Sequence, residues 1–231
     1  TNENLFSLNE LPRHLAIIGA GGIGMEMAQA FRRLGSEVTV IAPVRPLERD
    51  DEDAAALVKA SLEAEGVRFI SAEVSAIVGT AGDLQLTCNG VATVTASHVL
   101  VAAGRKANID NLDLAKAGVE LGKDGIIVDA RRRTSNKRIY AVGDCRAGPR
   151  FTHVSGYEGS NVALEMSLAI PAKADFSALP HCTFTSPELA QLGMTEVEAR
   201  AAHGEKVHVV RQQFADNDRA VCDGASQGFL K

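Results

Sequence analysis

Apolar positions in the first hundred residues switch repeatedly between a strand period and a helix period. Residues 14–20, HLAIIGA, form a short apolar run suited to a buried parallel strand. Ile23, Met27, Ala30, Phe31 and Leu34 then recur at helical spacing, which predicts a helix with that apolar face, stopped by Gly35. Residues 37–42, EVTVIA, predict a second strand. Residues 50–65 open on acidic side chains, carry a core face through Ala54, Val58 and Leu62 and end at Gly66, which predicts a second helix. Residues 67–70 supply a third strand and residues 98–101 a further buried one. Between them, residues 74–96 alternate around turn signals at Gly79, Gly82 and Asn89-Gly90, the pattern of an antiparallel hairpin layer.

Beyond residue 103 the pattern loosens. Residues 125–129 and 138–142 are two more strand candidates, the second ending at Gly143-Asp144. Ser155 and Glu158 have the spacing of a capping box and predict a helix that opens there and runs through Val162 and Met166. Residues 171–180 read as a connector. The tail then predicts a strand at 181–185, a second capping box at Thr195 and Glu198 opening a short helix to Gly204, and a strand at 206–214.

The strand, helix, strand order gives meaning to Gly19-Ala20-Gly21-Gly22-Ile23-Gly24 at the first junction. Gly19 permits a tight turn, Gly21 lets backbone approach a pyrophosphate, and Gly24 lets helix and strand pack closely, while the helix N-terminus offers free amides to the phosphates. An NAD enzyme usually ends its second strand in a carboxylate for the ribose, and here that place holds Ala42, with Glu37 at the opposite end of the strand. The next loop carries Arg45 and Arg49, whose guanidinium groups suit a 2′-phosphate and favour NADPH over NADH. Alternatively, Arg49 pairs with Asp50, Asp51 or Glu52 as surface charge and says nothing about the cofactor. Gly104, after the strand at 98–101, suits close approach of backbone to a ligand, and Asp144 suits a polyhydroxyl ligand as an acceptor at a sheet edge.

Length and charge narrow the function classes. The chain has 231 residues, roughly one and a half domains at about 150 residues each. A formal net charge of -5 argues against a nucleic-acid or anionic-membrane partner, and Arg131, Arg132 and Arg133 read as solvated loop charge. No apolar run approaches a membrane span and the polar start has no signal-peptide pattern, so a soluble, cytoplasmic protein is expected. Cys88, Cys145, Cys182 and Cys222 are too far apart for a local redox pair and read as isolated buried thiols. The six histidines show no ligand spacing, so no metal is expected.

Taken together, residues 19–26, Val101-Ala102-Ala103-Gly104-Arg105 and residues 134–144 resemble the marks of the pyridine nucleotide-disulfide oxidoreductases, the flavoprotein family of glutathione reductase, dihydrolipoamide dehydrogenase and mercuric reductase, and Phe151-Thr152-His153-Val154 with Asp218-Arg219-Ala220 most resembles its mercuric reductase-like branch. The tail residues Cys182-Thr183-Phe184-Thr185-Ser186-Pro187-Glu188 and Gly193-Met194-Thr195-Glu196 resemble the start of the family's dimer-interface domain. The resemblance implies an α/β fold: a Rossmann-like three-layer NAD(P)-binding domain over 1–103, the C-terminal part of an FAD-binding domain over 104–172, and a truncated dimerisation domain over 173–231. It implies that Asp144 accepts from the flavin ribityl chain, with Gly143 allowing the approach and Thr152 placing backbone near the ring. Gly19, Gly21, Gly22, Ile23 and Gly24 would cradle the nicotinamide dinucleotide, Glu26 would orient its nicotinamide end, Arg45 and Arg49 would read the 2′-phosphate, and Gly104 and Arg105 would join the two nucleotide domains. Pro43 stands where some NADPH-dependent members carry another arginine, and Ala107 where the family usually has proline.

The implied activity is NAD(P)H-dependent reduction of FAD, then of a disulfide, metal ion or quinone, by a homodimer. An alternative from another class is a nucleotide-binding module that senses redox state without turnover. Only 13 residues precede the first strand. The expectation is therefore a fragment that lacks the flavin-ADP segment, any CxxxxC pair and the family's catalytic histidine, and so holds no complete catalytic centre.

Overall fold

Period-two alternation builds a parallel sheet with two buried faces. The computed structural model describes residues 1–90 and 93–231, so positions 91 and 92 of the expected hairpin layer lie outside the described residues. The first part of the chain runs β1 (His14–Ile18), α1 (Gly22–Leu34), β2 (Glu37–Ala42), α2 (Glu52–Ala64), β3 (Arg68–Ser71), β4 (Val74–Thr80), β5 (Asp83–Cys88), β6 (Val94–Ala96) and β7 (His98–Val101). The parallel strands lie in the order β3-β2-β1-β7, with His14 opposite Glu37 and Ile18 opposite both Ile41 and Val101. Successive side chains of a strand leave opposite faces. Leu15, Ile17, Val38 and Val40 thus pack with Met25 and Ala28 of α1 and with Val58 and Leu62 of α2. Ala16 and Ile41 face the other way and pack with Leu86, Cys88, Val94 and Ala96 of the antiparallel β4-β5-β6 layer. The result is a three-layer α/β fold.

The phase of α1 differs from the one its apolar spacing predicts. Gly24, Met25, Ala28 and Gln29 are buried, whereas Ile23 and Leu34 are 51% and 66% exposed. Gly24 sets the rotation: a Cβ there would stand 2.0 Å from the Gly19 carbonyl oxygen, so helix backbone lies against the turn and small side chains must face the sheet. Met27 and Phe31 pack only at the edge of that core. α2 follows its expected face, with Ala54 displaced by Ala55 at the core, and Asp51 caps it by accepting from the Asp53 amide at 3.2 Å.

Residues 105–179 form a separate compact unit. It holds β8 (Leu121–Gly122), β9 (Gly125–Ile126), a 3-10 turn at Gly143–Cys145 and α3 (Thr152–Leu168) around a small core of Val119, Ile126 and Ala141. The strands expected at 125–129 and 138–142 shrink to β9 and a single Arg133–Tyr140 bridge. Asp129 causes this, since its carboxylate accepts from the Arg131 and Arg133 amides and bends the chain where a strand would continue. α3 starts at Thr152 with Phe151 at its N-cap, so Ser155 lies within the first turn and forms no capping box with Glu158.

The tail, residues 180–231, belongs to the same compact unit as residues 1–104. β10 (Pro180–Thr183) and β11 (Leu189–Leu192) form an antiparallel pair, and Leu189 joins the core under α1 and α2. α4 (Glu196–His203) carries the expected capping box, with Thr195 Oγ1 accepting from the Glu198 amide at 3.2 Å and Glu198 accepting from the Thr195 amide at 2.8 Å. β12 (Gln212–Gln213), α5 (Asp218–Cys222) and β13 (Phe229–Leu230) follow. The strand expected over 206–214 forms only at β12, because β13 offers it two paired positions and Val210 stays 78% exposed. No helix among the described residues is long and apolar enough to cross a membrane.

Candidate functional site

The turn from β1 into α1 is held open by its glycines. Gly19 has φ +108°, its amide donates to the Ile41 carbonyl at 2.9 Å, and a Cβ on it would stand 2.6 Å from the Ala102 carbonyl oxygen. Gly21 is the N-cap of α1 and has ordinary φ, yet nothing lies within 4 Å of where its Cβ would be. Packing does not demand a glycine there, whereas an incoming backbone-gripping ligand would. No side chain caps α1, so its first-turn amides and positive helix end remain available to an anion. Gly22, next in the chain, faces the tail, with Thr183 Oγ1 3.2 Å from its Cβ position. The donor set and the open side of Gly21 fit a dinucleotide pyrophosphate.

The two loop arginines behave differently. Arg45 Nη1 donates to the Leu47 carbonyl at 2.9 Å, and its Nη2 donates to the Glu48 and Asp50 carbonyls at 2.9 and 2.8 Å. Its guanidinium therefore shapes the loop. Arg49 is exposed and makes no hydrogen bond or ion pair among the described residues. Two of its acidic neighbours are engaged elsewhere, Asp50 Oδ1 lying 2.8 Å from His181 Nε2 and Asp51 Oδ2 2.8 Å from Lys231 Nζ, while Glu48 and Glu52 are exposed with no side-chain partner among the described residues. Glu26, one turn into α1, accepts from the Phe184 amide at 2.9 Å.

Of the remaining expected site residues, Gly104 belongs to the first unit and Arg105, Gly143, Asp144 and Thr152 to the second. Gly104 closes the first unit with φ +120° and open space at its Cβ position. In the second unit Arg105 Nη1 lies 3.1 Å from Asp144 Oδ2, and both side chains are about half exposed. Gly143 has φ +69°, and a Cβ on it would meet Ser155 Oγ at 2.5 Å, which fixes glycine at the start of the Asp144 turn. Thr152 is the exposed first residue of α3, whose N-cap also lacks a side-chain hydrogen bond. The exposed Asp144 carboxylate, in a turn packed against Ser155 and Glu158 of α3, is an acceptor that fits the hydroxyl chain of a flavin.

Residues 1–159 match the pyridine nucleotide-disulphide oxidoreductase family, and residues 179–231 match that family's dimerisation domain. The chain belongs to this family. Its relatives include mercuric reductase from Lysinibacillus sphaericus, 36% identical over all of this chain and 43% of the relative, and dihydrolipoyl dehydrogenase from Bacillus subtilis (strain 168), 35% identical over all of this chain and 50% of the relative. The fold superposes on the HOCl-induced flavoprotein disulfide reductase RclA from Escherichia coli with a TM-score of 0.89 and 32% identity, over 98% of this chain and 52% of that one. The chain spans about half the length or less of the curated relatives it matches. The family and these relatives are oxidoreductases.

Against this family background, the buried charges are the residues that sequence reasoning missed. Arg131, Arg132 and Arg133 are not solvated loop charge. Arg132 is 8% exposed and lies 3.3 Å from Glu158, Arg131 Nε donates to Glu165 at 2.7 Å, and Arg133 pairs with Asp129 at 2.8 Å. Glu158, fully buried, accepts from the Gly143 amide at 2.7 Å and also pairs with Arg146. Phe176 lies 5.2 Å from both the Arg132 and Arg146 guanidinium carbons. Burial pulls the pKa of Arg132 down, with Glu158 acting against that pull. The sequence carried no signal for this cluster, because the spacing of Glu158 from Ser155 fits a local helix cap and its partners are distant in the chain.

Among the cysteines only Cys88 is buried; Cys145 and Cys182 are partly exposed and Cys222 is exposed, because three of the four lie outside the main sheet cores. Burial pushes the Cys182 thiol up, and the Glu188 and Glu26 charges push it further, the opposite of a reactive thiolate. Among the described residues no three His, Cys, Asp or Glu side chains come together as metal ligands.

Proposed function

We propose that residues 1–103, 104–172 and 173–231 are the NAD(P)-binding domain, the C-terminal part of the FAD-binding domain and the first part of the dimerisation domain of an NAD(P)H-dependent flavin reductase. The observation that carries this reading is the glycine turn: Gly19 and Gly24 are demanded by packing, Gly21 is not, and the helix beyond it is uncapped. When bound, the nicotinamide supplies a hydride and the flavin passes its electrons to an acceptor. The amides of residues 22–24 would hold the pyrophosphate, and Glu26 would face the nicotinamide half. Arg49 would take the 2′-phosphate, which favours NADPH over NADH, while Arg45 would hold the shape of the loop that presents it. Asp144, with Gly143 and Thr152, would hold the ribityl side of FAD, and Arg105 would steady the Asp144 carboxylate. The acceptor class is a disulfide, a metal ion or a quinone; the names of the similar flavoprotein disulfide reductase and mercuric reductase support the first two. The intact enzyme would act as a cytoplasmic homodimer, a state supported by the dimerisation-domain match at 179–231.

Fluorescence titration of residues 1–231 with NADPH and NADH tests the nucleotide reading. Saturable binding with NADPH the tighter is expected, and failure to bind either overturns it. Spectra of the full-length protein test the rest: bound flavin bleached by NADPH is the expected result, and a full-length protein without flavin would instead be a sensing module.

A further inference from the structure

The tail contacts the dinucleotide half at both ends of the candidate site. On α1, Thr183 sits against Gly22, the Phe184 amide donates to Glu26, and Gln29 grips Ser186 by accepting from its amide at 2.7 Å and donating to its carbonyl at 2.8 Å. At the loop before α2, His181 lies against Asp50, Gln191 accepts from the Asp51 amide at 3.0 Å, and Lys231 pairs with Asp51. The β10-β11 pair thereby spans the cradle and the arginine loop.

The charges at the loop are what make this span functional. Arg49 is followed directly by Asp50, Asp51 and Glu52, and a free carboxylate there would both compete for its guanidinium and repel a phosphate. Asp50 is 6% exposed and turned onto His181, and Asp51 is committed to Lys231 and to capping α2, so that of the three only Glu52, exposed in the first turn of α2, has no side-chain partner among the described residues. We propose that His181 and Lys231 are positioning residues for cofactor choice: by holding Asp50 and Asp51 they leave Arg49 available to a 2′-phosphate. This rests on the NADPH reading above. By linkage, a cofactor that engages Arg49 also strengthens the docking of the tail.

Titration of residues 1–231 carrying His181→Leu with NADPH and with NADH tests the assignment. Released Asp50 should raise the Kd for NADPH about tenfold while the Kd for NADH stays within about twofold. His181→Gln, whose side-chain amide can donate to Asp50 as the imidazole does, should restore the NADPH value. A fall in both affinities together, or no change in either, overturns the proposal. In the unsubstituted chain, NADPH should slow amide exchange across β10-β11 more than NADH does, a result independent of how the variants fold; equal protection by the two cofactors also overturns it. An unsubstituted chain that binds neither cofactor, or binds NADH more tightly, instead defeats the NADPH reading on which the proposal stands.

Discussion

The sheet unit and the unit at residues 105–179 solve the same problem with different interactions. In the first, parallel strands in register place Leu15, Ile17, Val38 and Val40 on one apolar face and Ala16 and Ile41 on the other. In the second, regular strand pairing is nearly absent, the apolar core is one small cluster of Val119, Ile126 and Ala141, and Glu158 with Arg132 and Arg146 ties α3 to the turns before it. Apolar burial is non-directional and tolerates substitution, whereas a buried carboxylate between two guanidinium groups depends on every partner. The two candidate cofactor sites inherit this difference. The cradle is shaped by backbone packing against a sheet, and the Asp144 turn by a hydrogen bond from the Gly143 amide to a buried charge.

The sharpest way to break the comparison is Glu158→Ala. Removing the carboxylate leaves two guanidinium groups buried without their counter-charge, and should cost about 3 to 5 kcal/mol. Urea unfolding followed by amide exchange should show the loss concentrated in residues 105–179, and a variant as stable as the parent would mean that the triad does not hold this unit. Leu62→Ala is the counterpart in the sheet unit. Leu62 is fully buried under α2, so its truncation should cost about 3 kcal/mol, with the cradle still formed. A loss below about 1 kcal/mol would show that the site collapses around the missing atoms. Arg49→Ala should weaken NADPH about tenfold and leave NADH unchanged, and equal affinities in variant and parent would remove this arginine from cofactor choice.

The smallest expected effect concerns the tail. Hydrogen bonds from Lys231 and Arg211 hold the Asp53 carboxyl below the usual carboxylate range, and hydrogen bonds from Lys231 and Arg200 do the same for Glu196. Their folded pKa values lie below the unfolded ones, so their contribution is complete above about pH 4 and is lost as pH falls from there. The amide resonances of β13 should shift on acidification through that range and hold steady between pH 6 and roughly 8. Movement confined to neutral pH would point to another titrating group.

Legibility in sequence follows the same division. β2 and β7 fall on the residues their patterns predict, β2 because a strand buried on both faces leaves a continuous apolar run. α1 was legible in extent but not in rotation, since the decisive contact is made by Gly24, which has no side chain to mark it. Glu158 was legible only as a helix cap, because its spacing from Ser155 fits that local explanation and its partners Arg132 and Arg146 are 26 and 12 residues away. The engagement of Asp50 by His181, 131 residues apart, has no local signature at all. At the candidate sites the glycines could be read by position, whereas the different roles of Arg45 and Arg49 depend on carbonyls and carboxylates brought together by folding.

Gly21 offers the most direct test that the turn exists for a ligand. Its φ is ordinary and the space around its Cβ position is empty, so Gly21→Val should cost only the weaker N-cap preference of valine, about 1 kcal/mol, and still fold. Titration of that variant with NADPH should show binding weakened at least about a hundredfold, because the added side chain stands where the pyrophosphate must approach. A Gly21→Val chain that folds normally and binds NADPH as the parent does would contradict the account.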